Sequence, residues 1–217
     1  MSDVKIDVVT KDALTTTGTS DYTVSGFGVP KGGLFFWSNA LSLGTHNSNA
    51  KLGVGCFDAA GNQLAMTAVS QTSVTTSSTG RVLTDEACMM ILDNAGDNET
   101  GRAEFKNLLP NGVQVDCTDE FPNTQQTFCA LFGGSDMECA VGSLTTSGTV
   151  GGTASVSGLS FQPTAIILFC NEADITDPLD IRNDAKFFMG FAVDDGGGSI
   201  TQGSLNWQAA HGFGFGN

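Results

Sequence analysis

The sequence predicts an all-β chain: an antiparallel β-sandwich of jelly-roll type with an internal pseudo-duplication. Three observations lead there. Glycine makes up 28 of 217 residues, and lysine plus arginine only 9. Such a chain is glycine-rich against the usual ~7% and unlike a helical bundle. Its apolar segments alternate at period two or run for a few residues between Gly, Asn and Asp clusters, the pattern of short strands and tight turns. Finally, a motif of glycine, aromatic, proline and apolar strand occurs twice. No long 3.6-residue period is present, so helices are expected to be few and short.

Taken in order, Val4–Val9 alternates through Val4, Ile6 and Val8 and reads as a half-buried strand. Leu34–Trp37 is a continuous apolar run, as for a strand covered on both faces. Leu52–Phe57 and Leu64–Val69 are expected to form a hairpin across Asp58–Asn62, where Gly61 and Asn62 tolerate positive φ. Cys88–Leu92 fits a strand or a helical turn; the Asp93–Gly96 turn after it selects the strand. Val113–Cys117 and Thr127–Phe132 are expected to pair, and a second strand-rich block runs from Ala154 onward.

The repeat sets Gly26–Phe36 beside Gly158–Phe169, with Pro30 on Pro163 and Phe36 on Phe169. Downstream, Lys51–Gly55 parallels Lys186–Gly190, and Gly61 falls on Gly196; upstream, Thr17–Thr19 parallels Ser147–Thr149. Proline before each strand fixes φ and removes a donor where the ladder has not begun. Similar halves near 17–70 and 147–207 are expected around a middle section, 71–146, with residues 208–217 as a C-terminal arm. Each half alone, about 70 residues, would be marginal, so one domain spanning 1–217 is preferred to two.

Gly26-Phe27-Gly28-Val29-Pro30-Lys31 with its apolar strand resembles a signature of tailed-bacteriophage virion proteins, as does Asn111–Val115 followed by Thr127–Gly134. Gly158–Phe169 carries the first signature again. The resemblance covers about half the chain and is to a loose family of β-sandwich structural proteins used as head decorations, tail components or tail appendages. It implies self-assembly and contact with other virion proteins, and its structural motifs carry no catalytic residues. The chain departs from it at Phe128, where tyrosine is expected, and in its number of cysteines.

A net charge of −14 repels phosphate, which argues against nucleic acid and anionic membrane surfaces as partners. Met1–Thr10 does not read as a secretory signal. The longest apolar run, Ala165–Cys170, falls far short of the ~20 residues a membrane span needs. Synthesis in a host cytoplasm is expected, with the virion as destination. The six cysteines form no C-x-x-C pair and are expected as buried free thiols; a Cys117–Cys129 disulfide is the sharper alternative.

Chemistry-bearing clusters are sparse. His46 and His211 are the two histidines, and no spacing joins either to a nucleophile. Glu172, Asp174, Asp177, Asp180 and Asp184 crowd one loop. That loop reads first as a solvated connection, then as oxygens for calcium, and last as a glycosidase pair. The run His211–Asn217 alternates Phe213 and Phe215 with glycine; it reads as a final strand or as an arm that adds to a neighbour's sheet. Trp207, Phe213 and Phe215 are the expected subunit contacts. The expected function is a non-enzymatic virion structural protein in multiple copies, with no resident cofactor unless calcium. A module binding a host surface glycan through loops 43–50 and 171–184 comes second, and a polysaccharide-cleaving enzyme third.

Overall fold

Thirteen strands and no helix form among the residues described by the structure, a computed structural model covering 3–40, 49–71, 78–145, 147–172 and 184–210. The strands are β1 (Lys5–Asp12), β2 (Gly18–Thr23), β3 (Gly32–Ser38), β4 (Ala50–Asp58), β5 (Gln63–Gln71), β6 (Ser78–Thr84), β7 (Met89–Leu92), β8 (Glu99–Leu109), β9 (Gly112–Asp119), β10 (Gln126–Gly133), β11 (Ala165–Cys170), β12 (Ala185–Asp194) and β13 (Ile200–Ala209). They make a six-stranded sheet, β1-β10-β3-β4-β5-β6, a four-stranded sheet, β2-β9-β8-β7, and a three-stranded sheet, β11-β12-β13. Every pairing is antiparallel. β1 lies beside β10 and β2 beside β9, so these chain segments nest like a rolled hairpin. Between them, β3–β6 is a meander in one sheet and β7–β9 a meander in the other.

The main core fills the space between the six- and four-stranded sheets. Tyr22, Phe35, Trp37, Phe57, Met90, Ile91 and Leu131 are among its buried members. Phe35 sits at the centre, with its ring edge-on to Tyr22 at 5.2 Å and tilted against Phe57 at 5.6 Å. Burial of each such side chain stabilises the fold by about 1.5–3 kcal/mol. The Tyr22 hydroxyl shares a 2.6 Å hydrogen bond with Thr127 Oγ1, so the one polar atom on that ring is satisfied.

The β4–β5 hairpin forms where the turn residues place it. Asp58 accepts from the Ala60 and Asn62 amides and from Asn62 Nδ2, and Gly61 takes a φ of 90°. Asp58 also accepts from the Val141 amide at 2.8 Å, tying down the chain after β10. Cys88–Leu92 contributes β7, a strand as expected.

Two expectations need correction. Val113–Cys117 and Thr127–Phe132 do not pair: they are β9 and β10, in different sheets, partnered by β2 and β8 and by β1 and β3. Cys117 and Cys129 are therefore free thiols rather than a disulfide. The second correction concerns β1, where Ile6 and Val8 point outward while Val9 packs against the main core. Ile6 is 63% and Val8 57% exposed, while Lys5 and Lys11 reach back to the Phe27 and Asp21 carbonyls. β1 is the edge strand of its sheet, so lysine stems can lie along the rim with their amines in water.

Several pairs of β11–β12 fall where the sequence repeat would place them against β3–β4. Phe35 pairs with Gly55 and Phe36 with Val54; Leu168 pairs with Gly190 and Phe169 with Met189. Large and small residues exchange places within matching pairs. Trp37 opposes Gly53 where Cys170 opposes Phe188, and Gly33 opposes Phe57 where Ile166 opposes Ala192. The middle section, 71–146, supplies β6–β10. Its strands flank β3–β5 and cover their inner face, so it is no separate unit.

Candidate assembly surface

β11–β13 docks on the outer face of the six-stranded sheet by one end only. Buried Val54, Met66, Ala68, Ala185 and Phe187 form a second cluster, with Phe36, Phe169, Met189 and Trp207 packed against it. β12 approaches β5 and β6. Trp207, expected as a subunit contact, thus packs inside its own chain. Phe213 and Phe215 lie outside the described residues, as do Asp174, Asp177, Asp180, His46 and His211.

A polar clamp fixes the docked end. Arg81 on β6 is 6% exposed. It donates to the Asp184 carbonyl at 2.9 Å, to the Asp184 carboxylate, and to the Glu172 carbonyl at 3.4 Å. Buried Asn171 donates through Nδ2 to the Val82 carbonyl at 2.7 Å. Lys186 bonds the Glu172 carboxylate, which holds its amine above the usual lysine range. The described carboxylates of the acidic loop, Glu172 and Asp184, therefore face the chain's own cations. Among the described residues no group of three metal-ligating side chains forms.

The clamp yields a prediction. Arg81→Ala removes three hydrogen bonds from a nearly buried guanidinium whose carboxylate partner is partly solvated. Docking should weaken by about 1–3 kcal/mol. Amides of β11–β13 should then exchange with solvent about tenfold faster or more, with β3 and β4 unchanged. Uniform protection across all three sheets in hydrogen-exchange mass spectrometry would contradict it.

Beyond the clamp the sheet is bare. On the face that meets the six-stranded sheet, register aligns Ile167, Phe191 and Gly203, then Met189 and Leu205. Phe191 is 48% and Leu205 55% exposed, and Ile167 and Val193 are exposed as well. The Phe191 ring lies over Gly203, where an added Cβ would come within 2.9 Å of it. Ile166 and Leu168 are exposed on the opposite face. Few charges interrupt these strands: β11 has none, β13 none, and β12 only Lys186 and its terminal Asp194. On that opposite face β13 carries Gln202, Ser204 and Asn206, so the larger apolar area is on the docking face, and it makes this sheet a candidate interaction surface.

A surface depression of about 380 Å³ is lined by Thr23, Ser25, Leu109, Pro110 and Asn111, none of which ionises near neutral pH. Burial holds the Cys56, Cys88 and Cys129 thiols well above their usual range, so they stay protonated and are weak nucleophiles. Sequence reasoning missed Arg81, Asn171 and the outward turn of Ile6 and Val8. The apolar pattern of Ala165–Cys170 and Phe187–Val193 was visible; its exposure was not.

Comparison with protein-family models, curated proteins and solved structures finds no match for this chain.

Proposed function

We propose that this chain is a non-enzymatic structural subunit of a tailed-phage virion, assembled in multiple copies on the head or tail. The observation that carries the reading is the apolar, largely uncovered β11–β13 sheet. Exposed Ile166, Ile167, Leu168, Phe191, Val193 and Leu205 suit burial against a neighbour far better than contact with water. A net charge of −14 complements this role, since it keeps free copies soluble before assembly. The virion class rests on the resemblance of Gly26–Phe36, Asn111–Val115 with Thr127–Gly134, and Gly158–Phe169 to phage structural proteins. The matching registers of β3–β4 and β11–β12 support reading the third sheet as a second copy of the β3–β5 unit.

The test is copy number in particles purified from the source culture, by quantitative mass spectrometry against the main shell protein. Hundreds of copies per particle are expected for a head decoration or repeating tail element, and a few to some tens for a tail tip. Absence from particles would remove the reading.

A further inference from the structure

We propose that a second copy of this chain lays the free end of its β11–β13 sheet on the open β1/β10 part of the six-stranded sheet. The contact rests on the reading of the chain as an assembling subunit and names the surfaces that join.

The inference starts from an interface the molecule already makes. The outer face of the six-stranded sheet packs on one face of β11–β13, through Phe36, Val54 and Met66 on one side and Phe187, Met189 and Trp207 on the other. Each face continues past this contact. On the six-stranded sheet, Phe36 pairs with Phe128, Phe128 with Thr10, and Ala130 with Val8. Along the Phe36–Phe128–Thr10 row the same face runs from the docked region to β1, where Ile6 and Val8 stand exposed, while Cys139 lies over Gly32 at one end of it. On the three-stranded sheet it runs from Met189 to Phe191 and Val193, and from Trp207 to Leu205.

The two uncovered remnants are continuations of the surfaces that meet inside the chain. β12 already occupies the place over β5 and β6, so the remnants belong to opposite sides of the docked contact. A second copy carries both remnants and can supply the missing partner to each. The outward polarity of β1 also finds its reason here. β1 holds to its own chain through its ladder with β10 and through Val9, but Ile6 and Val8 turn away from that core and gain by burial against another surface. A reciprocal pairing closes as a two-fold dimer, while a one-way pairing extends as a chain; both use the same two patches.

The experiment is complementation between full-length variants, read as mass by sedimentation. One variant carries Phe191→Asp and Leu205→Asp on the three-stranded sheet, the other Ile6→Asp and Val8→Asp on β1. All four positions are exposed, and circular dichroism checks that each variant keeps its strands. Wild type should exceed the 22.4 kDa chain mass at about 100 μM. Each variant alone should dissociate at least tenfold more readily. Mixed in equal amounts, the two should recover a species of two chains, since each retains the patch the other has lost. A monomeric wild type, a β1 variant that associates like wild type, or a mixture that stays monomeric would overturn the contact. Complementation by a chain absent from particles would remove the virion reading alone. A chain abundant in particles that fails to complement would remove this contact alone.

Discussion

Gly55→Val is expected to destabilise the protein by about 3–5 kcal/mol, whereas Gly190→Val should leave stability within about 1 kcal/mol of wild type. The two glycines hold the same place in matching strands, opposite Phe35 and Leu168. Neither has a left-handed φ, so the contrast is one of space. A Cβ on Gly55 would overlap the Cys88 carbonyl oxygen and stand 2.9 Å from the Cys88 carbonyl carbon and the Leu64 oxygen. All three are backbone atoms, so no side-chain rotation relieves the clash. Relief requires β4 to separate from the chain leading into β7, which parts the two sheets around Phe35 and Met90. At Gly190 the nearest atoms to an added Cβ are the Gly203 oxygen at 3.7 Å and Ser204 Cβ at 3.9 Å. Valine there is a β-branched residue in a strand with room around it. Thermal melting checks both: the first should fall by roughly 6–20 °C, at ~2–4 °C per kcal/mol for this size. Equal effects at the two sites would mean that something covers β11–β13 as the four-stranded sheet covers β3–β5.

That pair also marks where the sequence was readable. The β4–β5 hairpin was legible because Asp58, Gly61 and Asn62 act locally, through bonds within the turn itself. The likeness of Gly26–Phe36 to Gly158–Phe169 was legible because apolar runs and prolines are written in order along the chain. Alternation in Val4–Val9 indicated a strand but not which face turns inward. That choice depends on β1 being an edge beside β10, a partner more than a hundred residues away. The β9–β10 pairing failed for the same reason: neighbours in sequence were assigned to each other, while Gly112–Asp119 and Gln126–Gly133 find their partners in different sheets. Ala165–Cys170 was legible as an apolar run but its exposure was not, because hydrophobicity records a need for cover without saying which molecule supplies it. Arg81 carried no signal at all, since a lone arginine in Ser78–Thr84 gains meaning only when Asp184 and Glu172 are folded against it.

Above pH 9 the protein is expected to lose stability steeply, collapsing by about pH 10–11. Cys56, Cys88 and Cys129 are almost fully buried. Burial raises each thiol above its ordinary value of 9.0, with Cys56 pushed up to about 12 and Cys88 and Cys129 also raised. Above 9.0 the unfolded chain releases these protons while the folded chain retains them, so folding takes up protons and each further pH unit weighs against it. Stability is complete below about 9 and falls as pH rises toward the folded values. Each thiol contributes about 1.4 kcal/mol per pH unit, so three give roughly 4 kcal/mol per unit, against total stabilities of about 5–15 kcal/mol. Tyr22 joins above 10.0, because its buried phenol is also raised. Lys51 works the other way: burial lowers its amine, which donates to the Leu92 carbonyl, but it is one group against three. Urea unfolding under reducing conditions between pH 8 and 11 measures the slope. Substituting alanine for Cys56, Cys88 and Cys129 lowers stability at pH 8 through lost packing, yet should flatten the pH dependence between 9 and 10. A wild-type midpoint that holds steady to pH 10.5 would overturn this expectation, because it would mean that these thiols lose their protons in the folded chain as readily as in water.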